Sequence, residues 1–478
     1  MMSRATRSLL LPALLLVLPA TSQAAQEALK KKAIASIDAR RPELIELSDK
    51  VWEFAETALK ETRSAALLAD YAERQGFTVD RAVAGMPTAF VAVYGQGEPV
   101  IGILGEYDAL PGLSQKAQPA KEARLVGAPG HGCGHNMFGA ASLGAAIAVK
   151  ELIESGAIKG TIKFFGTPAE EAVGGKVYMA REGLFQGIDV VVAWHPDTKT
   201  RADLTSGQAL VDLSVEFKGK SAHAAFDPWN GRSAVDAMEL FTHGINMLRE
   251  HVRPSVRMHY VIQKGGDVPN VIPEEARLWL WVRDWERRGV ESVLERVRDI
   301  AAGAGMMAGA EARITIQGGD YELLINQRGA RLIHENLSWL GPIQYTDEEQ
   351  QFARSLQTAA GVEPAGVDGS VHPLEGQEPE GGSTDVGDVS WLVPTLHMSV
   401  VTAPSNVPWH AWPVVASGGM SIGHKGMTHA AKAMASIMVE LFQEAGVRQE
   451  IRSEFQDKTR GFLYKPFIPD GPPVLPGE

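Results

Sequence analysis

The sequence predicts an α/β protein with a smaller α+β unit inserted into it, and three observations lead there. First, apolar runs at Pro99–Gly105, Gly160–Gly166 and Ile188–Ala193 alternate with helical stretches and have the unbroken hydrophobicity of strands covered on both faces. Second, each run delivers an acid or a histidine at its carboxyl end: Glu106-Tyr-Asp108, then Glu170-Glu171, then Trp194-His195-Pro196. In open α/β sheets that edge is where sites are built. Third, from Leu210 the order becomes strand-helix-strand-strand-helix-strand, the pattern of a small domain with an antiparallel sheet. The α/β alternation resumes after it.

Taken in order, Glu27–Gly76 reads as helical, with Ile37, Leu44, Leu47, Val51 and Phe54 at helical spacing. Short strands follow near Thr78–Val83 and Thr88–Tyr94. A helix at Asn136–Glu154 is rich in Ala and Gly, which permits close packing, and Val173-Gly-Gly-Lys176 opens another. In the inserted unit, 210–324, Leu210–Lys218, Arg257–Gln263 and Ala276–Arg283 alternate as strands. Arg232–Arg249 and Val290–Ala302 are helical, and Ala312–Gln317 is a last strand. Helices are expected at Gln327–Trp339 and Thr346–Ala360, then an irregular Gly361–Gly382, a buried strand at Pro394–Val401 and a helix from Ser421 to about Glu444. The main domain is thus discontinuous, 25–209 and 325–463, with a Pro-rich extended tail at 464–478.

Residues 1–24 have the form of a secretory signal: Arg4 and Arg7, an apolar run Leu9–Leu18 too short to span a bilayer, and Ser22-Gln23-Ala24 as a small-x-small cleavage site. The chain is expected to be exported to the periplasm or secreted. A net charge of −12 argues against nucleic acid or a membrane surface as partner, since phosphate binding needs clustered Lys and Arg. A single cysteine, Cys133, cannot form an internal disulfide.

That cysteine lies in Gly-His131-Gly-Cys133-Gly-His135-Asn136. Thiolate and imidazole are preferred ligands of zinc-like cations, and the glycines let the side chains converge. Glu171, His195 and His410 add candidate ligands from other loops. Five ligands exceed the need of one tetrahedral ion, so two adjacent divalent ions are the economical reading. Successive side chains of an extended segment alternate, so one of Glu170 and Glu171 binds metal while the other serves as general base to a water attacking an amide carbonyl.

Glu106-Tyr-Asp108-Ala-Leu-Pro, His131-Gly-Cys-Gly-His-Asn136, Thr167-Pro-Ala-Glu-Glu171, Trp194-His-Pro196, Gly219-Lys-Ser-Ala-His223-Ala and Asn270-Val-Ile-Pro273 resemble the amidohydrolase branch of the aminoacylase/glutamate carboxypeptidase metallopeptidase family. Ser383-Thr-Asp-Val-Gly-Asp-Val-Ser-Trp391 and Ser421-Ile-Gly-His-Lys-Gly426 add to the match, which covers essentially the whole chain after the leader. The resemblance implies a three-layer catalytic domain with a zinc-peptidase-like mixed sheet, an inserted ferredoxin-like lid and dimerisation domain, and a dinuclear Mn or Zn centre. The implied reaction is hydrolysis of an amide next to a free carboxylate, in a homodimer or higher homo-oligomer.

By the same resemblance, Cys133, His135, Glu171 and His195 match ligands, and Glu170 matches the general base. His223 matches a lid histidine that stabilises the oxyanion, often in the partner subunit, and Asn270 a lid residue that holds substrate. Asp108 matches a carboxylate that orients a ligand. His410 is chosen as the last ligand on its spacing, with His424 at the start of the following helix as the alternative. Apart from the resemblance, Arg232 and Arg283 could clamp a substrate carboxylate, with surface salt-bridging the preferred reading of each. Two other classes stay in play: a non-catalytic relative that only binds, and a hydrolase using Cys133 as nucleophile. The leader generates its own prediction: N-terminal sequencing of protein from the native host should begin at Ala25, and an intact Met1 would remove the export reading.

Overall fold

The computed structural model describes residues 20–377 and 381–474. The charged start and apolar run of the leader lie outside them. The first described element, helix α1 (Ala20–Phe54), carries the expected apolar spacing, with Ile37, Leu44 and Val51 fully buried. It does not continue to Gly76. Ala55 and Leu59 adopt positive φ, which breaks the helix before α2 (Thr62–Arg74).

The main sheet contains β1 (Thr78–Arg81), β2 (Phe90–Gln96), β3 (Val100–Gly105), β4 (Gly160–Gly166), β5 (Val190–Asp197), β6 (Arg201–Ala202) and β11 (Thr395–Val401), in the order β1-β2-β4-β3-β5-β11-β6. Its centre, β4-β3-β5-β11, is parallel, and β1, β2 and β6 run antiparallel to their neighbours. Helix α3 (His135–Glu154) connects β3 to β4, and α4 (Gly175–Arg181) carries the chain back past β3 to β5. Because parallel crossovers are right-handed, this reversal of direction sends α3 and α4 to opposite faces. The carboxyl ends of β3 and β4 lie at that reversal, where α/β sheets open a crevice.

Helix α3 is long and apolar enough to cross a membrane by length and composition, yet 89% of its most apolar window is buried. It packs against α1 and against α11 (Ser421–Gln443) as the helical core. Its glycines allow close approach, to the end of β3 at Gly139 and to α1 at Gly144. A Cβ on Gly139 would come within 2.8 Å of the Glu106 carbonyl oxygen, and one on Gly144 within 2.7 Å of a Leu44 methyl.

The inserted unit has strands β7 (Ala209–Lys218), β8 (Arg257–Lys264), β9 (Glu275–Asp284) and β10 (Glu311–Asp320), fully antiparallel in the order β10-β7-β9-β8. With helices α5 (Ala234–Leu248) and α6 (Arg287–Ala308), this is the ferredoxin-like topology. Val211, Leu213, Val215 and Phe217 alternate inward to form a second core with Phe241, Leu280 and Val297.

The second half of the main domain adds α7 (Gln327–Leu340), α8 (Asp347–Ala359), α9 (Val386–Ser390), α10 (Trp412–Gly418) and α12 (Ala445–Lys458). The short α9 and α10, and α12 beyond a break at Glu444, were not expected from the periodicity. The described part of the tail, 464–474, has no helix or strand and is tied down: Phe467 enters the core of the inserted unit, and Arg181 donates to the carbonyls of Pro469 and Gly471.

Two glycine substitutions should move stability in opposite directions. Gly139→Ala gains about 1 kcal/mol of helix propensity but forces a contact with backbone that cannot give way, at a cost of about 1–3 kcal/mol or more. Gly303→Ala in α6 meets nothing within 4 Å and keeps the propensity gain. Thermal unfolding should show a lower Tm for the first and an unchanged or higher Tm for the second.

Candidate metal centre

Glu106, Asp108, Cys133, His135, Glu170, Glu171, His195 and His410 come together at the carboxyl-terminal edge of β3, β4 and β5. Three overlapping groups of ligand atoms lie within 4.8 Å of one another: Cys133–His135–His195, Cys133–Glu171–His410, and Glu106–His135–Glu170. Cys133 belongs to the first two, which places its sulfur where it could join two ions.

The histidines are preset by their other nitrogens. His135 Nδ1 lies 2.9 Å from Asp108 Oδ1, which orients the ring so that Nε2 faces Glu106 Oε2 and the cluster. His195 Nδ1 donates to the Pro196 carbonyl at 2.7 Å, which turns Nε2 toward Cys133 Sγ, 3.3 Å away. Cys133 also accepts from the Trp409 indole N–H at 3.2 Å. His195 lies inside β5, not after it, because the strand runs to Asp197. His410 has φ 54° and its N–H donates to the Gly132 carbonyl at 3.1 Å, so the loop carrying it is pinned to the cysteine motif. Its Nε2 is 3.5 Å from Glu171 Oε2.

The separation of Glu170 from Glu171 arises differently from expectation. Residues 170–173 form a turn, not an extended segment. Ala169 takes φ 62° and its N–H donates to the buried Glu61 carboxylate at 3.0 Å, which holds the turn. Glu171 N–H donates to Asp108 Oδ2 at 2.9 Å. Glu170 thereby joins Glu106 and His135, while Glu171 joins Cys133 and His410.

His424 lies outside the cluster, with Nε2 2.8 Å from Asp49 Oδ1. His131 is fully buried, with Nε2 3.0 Å from the Val51 carbonyl, and is structural. His223 and Asn270 sit together on an exposed edge of the inserted unit, where Ala224 N–H donates to the Asn270 carbonyl at 3.0 Å. None of the contacts described for His223 reaches the cluster. Its Nδ1 accepts from the N–H groups of Ala225 and Phe226 at 3.2 and 3.1 Å, which leaves Nε2–H as an outward donor. Arg232 bonds its own loop carbonyls. Arg283 bonds Ser383 at the junction of the two domains.

The reading of the sequence missed Glu106, Lys176, Asp385 and Trp409. Glu106 stood at a strand end and Asp385 inside the Ser383–Trp391 motif, and each is a usable signal. A lysine at a helix start and a tryptophan in a loop carry none.

The electrostatics are those of a site made for cations. Burial raises the Glu170 carboxyl well above its usual range, with Glu106, Glu171 and Asp385 adding to the effect. Burial likewise lifts Glu171, to about 7, and pushes the Cys133 thiol up. His195 falls to about 4, through burial and then His135. Glu171 Oε1 and His135 Nε2 are buried without a hydrogen bond; His135 Nε2 approaches Glu106 Oε2 to 3.0 Å. A soft sulfur, imidazoles and carboxylates facing one another fit divalent zinc- or manganese-type ions.

A family model, "Peptidase family M20/M25/M40", matches residues 102–334. One of the subunits of the p-aminobenzoyl-glutamate hydrolase of Escherichia coli (strain K12) is 38% identical over 452 residues, 89% of this chain and 94% of that protein. The chain belongs to peptidase family M20/M25/M40. As a member of that family it is a metal-dependent amide hydrolase. The Xaa-Arg dipeptidase of Mus musculus is 29% identical over 454 residues, 92% of this chain and 95% of that protein. A solved structure of a dinuclear metal-binding M20 peptidase from Bacillus subtilis shares the fold, with a TM-score of 0.59 and 18% identity over 85% of this chain and 99% of that one.

The raised acids of this M20 centre make ion binding compete with protons. Ligand carboxylate and thiol must be ionised, and Glu171 is protonated below about 7. Metal binding should therefore release protons, and affinity should rise with pH by about tenfold per unit for each proton released. Calorimetric titration of chelator-stripped protein in buffers of different ionisation enthalpy counts those protons. Zero release at pH 6 would contradict the assignment.

Proposed function

We propose that this chain hydrolyses the amide bond of an N-acyl or N-aroyl amino acid with a free carboxylate, p-aminobenzoyl-glutamate among them, using two divalent ions, Mn or Zn. The observation that carries the reading is the pair of ligand groups sharing Cys133, with Glu170 beside them but outside both. One ion would be held by Cys133, His135 and His195, the other by Cys133, Glu171 and His410. When bound, such ions polarise an amide carbonyl and make water acidic near neutral pH.

The chain's own groups supply the rest. Glu170, in a buried and acid-rich setting, accepts the proton of the attacking water and returns it to the leaving amine. His223, with Nε2–H as donor, is suited to bond the developing oxyanion. Its place on the inserted unit, without contact to this chain's own cluster, supports a homodimer in which one copy's lid serves the other's site. Asn270 beside it would hold substrate. Export behind a cleaved leader belongs to the same proposal.

The 29% identity to a dipeptidase supports dipeptides as the alternative substrates. Cys133 as nucleophile is disfavoured, because burial and Glu171 push its thiol up where an activated nucleophile is pushed down. A purely binding role leaves Glu170 unexplained.

Glu170→Gln should keep metal content and fold while lowering turnover by about 10²–10⁴-fold. Glu171→Gln should lose metal as well as turnover. Elemental analysis beside rates of amine release from N-acyl and N-aroyl glutamates distinguishes them. Metal loss in the first variant and retention in the second would reverse the assignment, and near wild-type turnover in Glu170→Gln would end the mechanism.

A further inference from the structure

We propose that Glu106 is a further ligand of the metal centre, and that Lys176 is the positioning residue that turns it there. The proposal rests on the dinuclear reading above and extends it to two residues outside that ligand set.

Glu106 is the first residue after β3 and its side chain is 1% exposed. Its backbone is fixed by Gly139, whose missing side chain lets α3 lie against the Glu106 carbonyl. Its two carboxylate oxygens face different partners. Oε1 lies 2.6 Å from Lys176 Nζ, and Oε2 lies 3.0 Å from His135 Nε2. That imidazole nitrogen is the one turned into the cluster, since His135 Nδ1 is committed to Asp108. A carboxylate oxygen of Glu170 completes the group within 4.8 Å.

Lys176 is completely buried, which is rare for a lysine and costly unless the charge is paired. Its Nζ also bonds Asp385 Oδ1 at 2.6 Å, and its backbone N–H donates to Asp385 Oδ2 at 2.9 Å. One aspartate thus grips the lysine at both ends and aims its ammonium at Glu106. With Oε1 occupied, only Oε2 remains to face the ion that His135 holds. A buried pair is weak support for stability in itself, so orientation of Glu106 is the use the geometry points to.

Co²⁺ tests this through its spectrum, which reports ligand number and type independently of turnover. Wild-type protein stripped of metal is titrated with Co²⁺ beside Glu106→Gln, nearly isosteric and leaving Lys176 paired with Asp385. Loss of an oxygen ligand should weaken one of two Co²⁺ equivalents by at least about tenfold. It should also raise the visible d–d absorption while the thiolate charge-transfer band of Cys133 persists. Lys176→Arg keeps the charge but carries a longer, planar head, so it should displace Glu106 and reproduce both changes in a folded protein. A Glu106→Gln protein with wild-type Co²⁺ affinity and spectrum would overturn the ligand. The same result in Lys176→Arg would overturn the positioning role. Wild-type protein that binds no Co²⁺ would instead overturn the dinuclear reading, and this inference with it.

Discussion

The centre depends on one buried carboxylate. Asp108, 1% exposed, accepts from His135 Nδ1 with one oxygen and from the Glu171 backbone with the other. The first contact orients the ring of a candidate ligand contributed by α3, and the second fixes the turn that follows β4. Two candidate ligands from separate elements are thereby set relative to each other by one rigid group. Burial alone would raise Asp108, but His135 and the hydrogen bonds hold it below the usual carboxylate range. It stays an anion inside the core, and that makes its hydrogen bonds strong ones.

Around it the protein concentrates more negative charge than its cations balance. Glu106, Asp108, Glu170, Glu171 and Asp385 crowd around the cluster, with Lys176 and His135 as the buried cations described among them. The Lys176 ammonium is held charged by Asp385, Glu106 and Glu170 against the opposing effect of burial. Such crowding works against folding, since each acid must give up water or take up a proton. Sites of function are where sequences accept such conflicts. Bound divalent ions would relieve this one directly: they would take the place of protons on the candidate acids and thiol, and so couple metal binding to the stability of the folded state.

The fold was legible because its signals are periodic. Unbroken apolar runs marked β3, β4 and β5, and alternation marked the sheet of the inserted unit. Short helices gave no period to read: α10 is seven residues and α9 five. The helix break at Ala55–Leu59 rests on non-glycine residues at positive φ, which a sequence does not advertise. Of the site, the gathering of Cys133, His135, Glu171, His195 and His410 was legible in residue type and strand-end position. The geometry separating Glu170 from Glu171 was not, because it rests on the left-handed Ala169 and on Glu61, more than a hundred residues earlier. Lys176 was invisible for a related reason. Its neighbour Asp385 is 209 residues away, and a lysine reads as a surface residue until its partner is known.

Segment Ser383–Trp391 explains how the inserted unit and the centre are linked. Asp385 grips Lys176, while Asp388 accepts from the Tyr321 N–H at 2.9 Å and Ser390 from the Leu324 N–H at 2.8 Å. Tyr321 directly follows β10, the last strand of the inserted unit, and Ser383 takes Arg283 of β9 from the same unit. Trp391 then donates to the Glu322 carbonyl at 3.0 Å and packs against Phe462 of the tail. A single stretch of nine residues therefore bonds both the connection that leaves the inserted unit and the buried lysine that faces Glu106, so the junction of the two domains and the cluster of acids share one set of anchors.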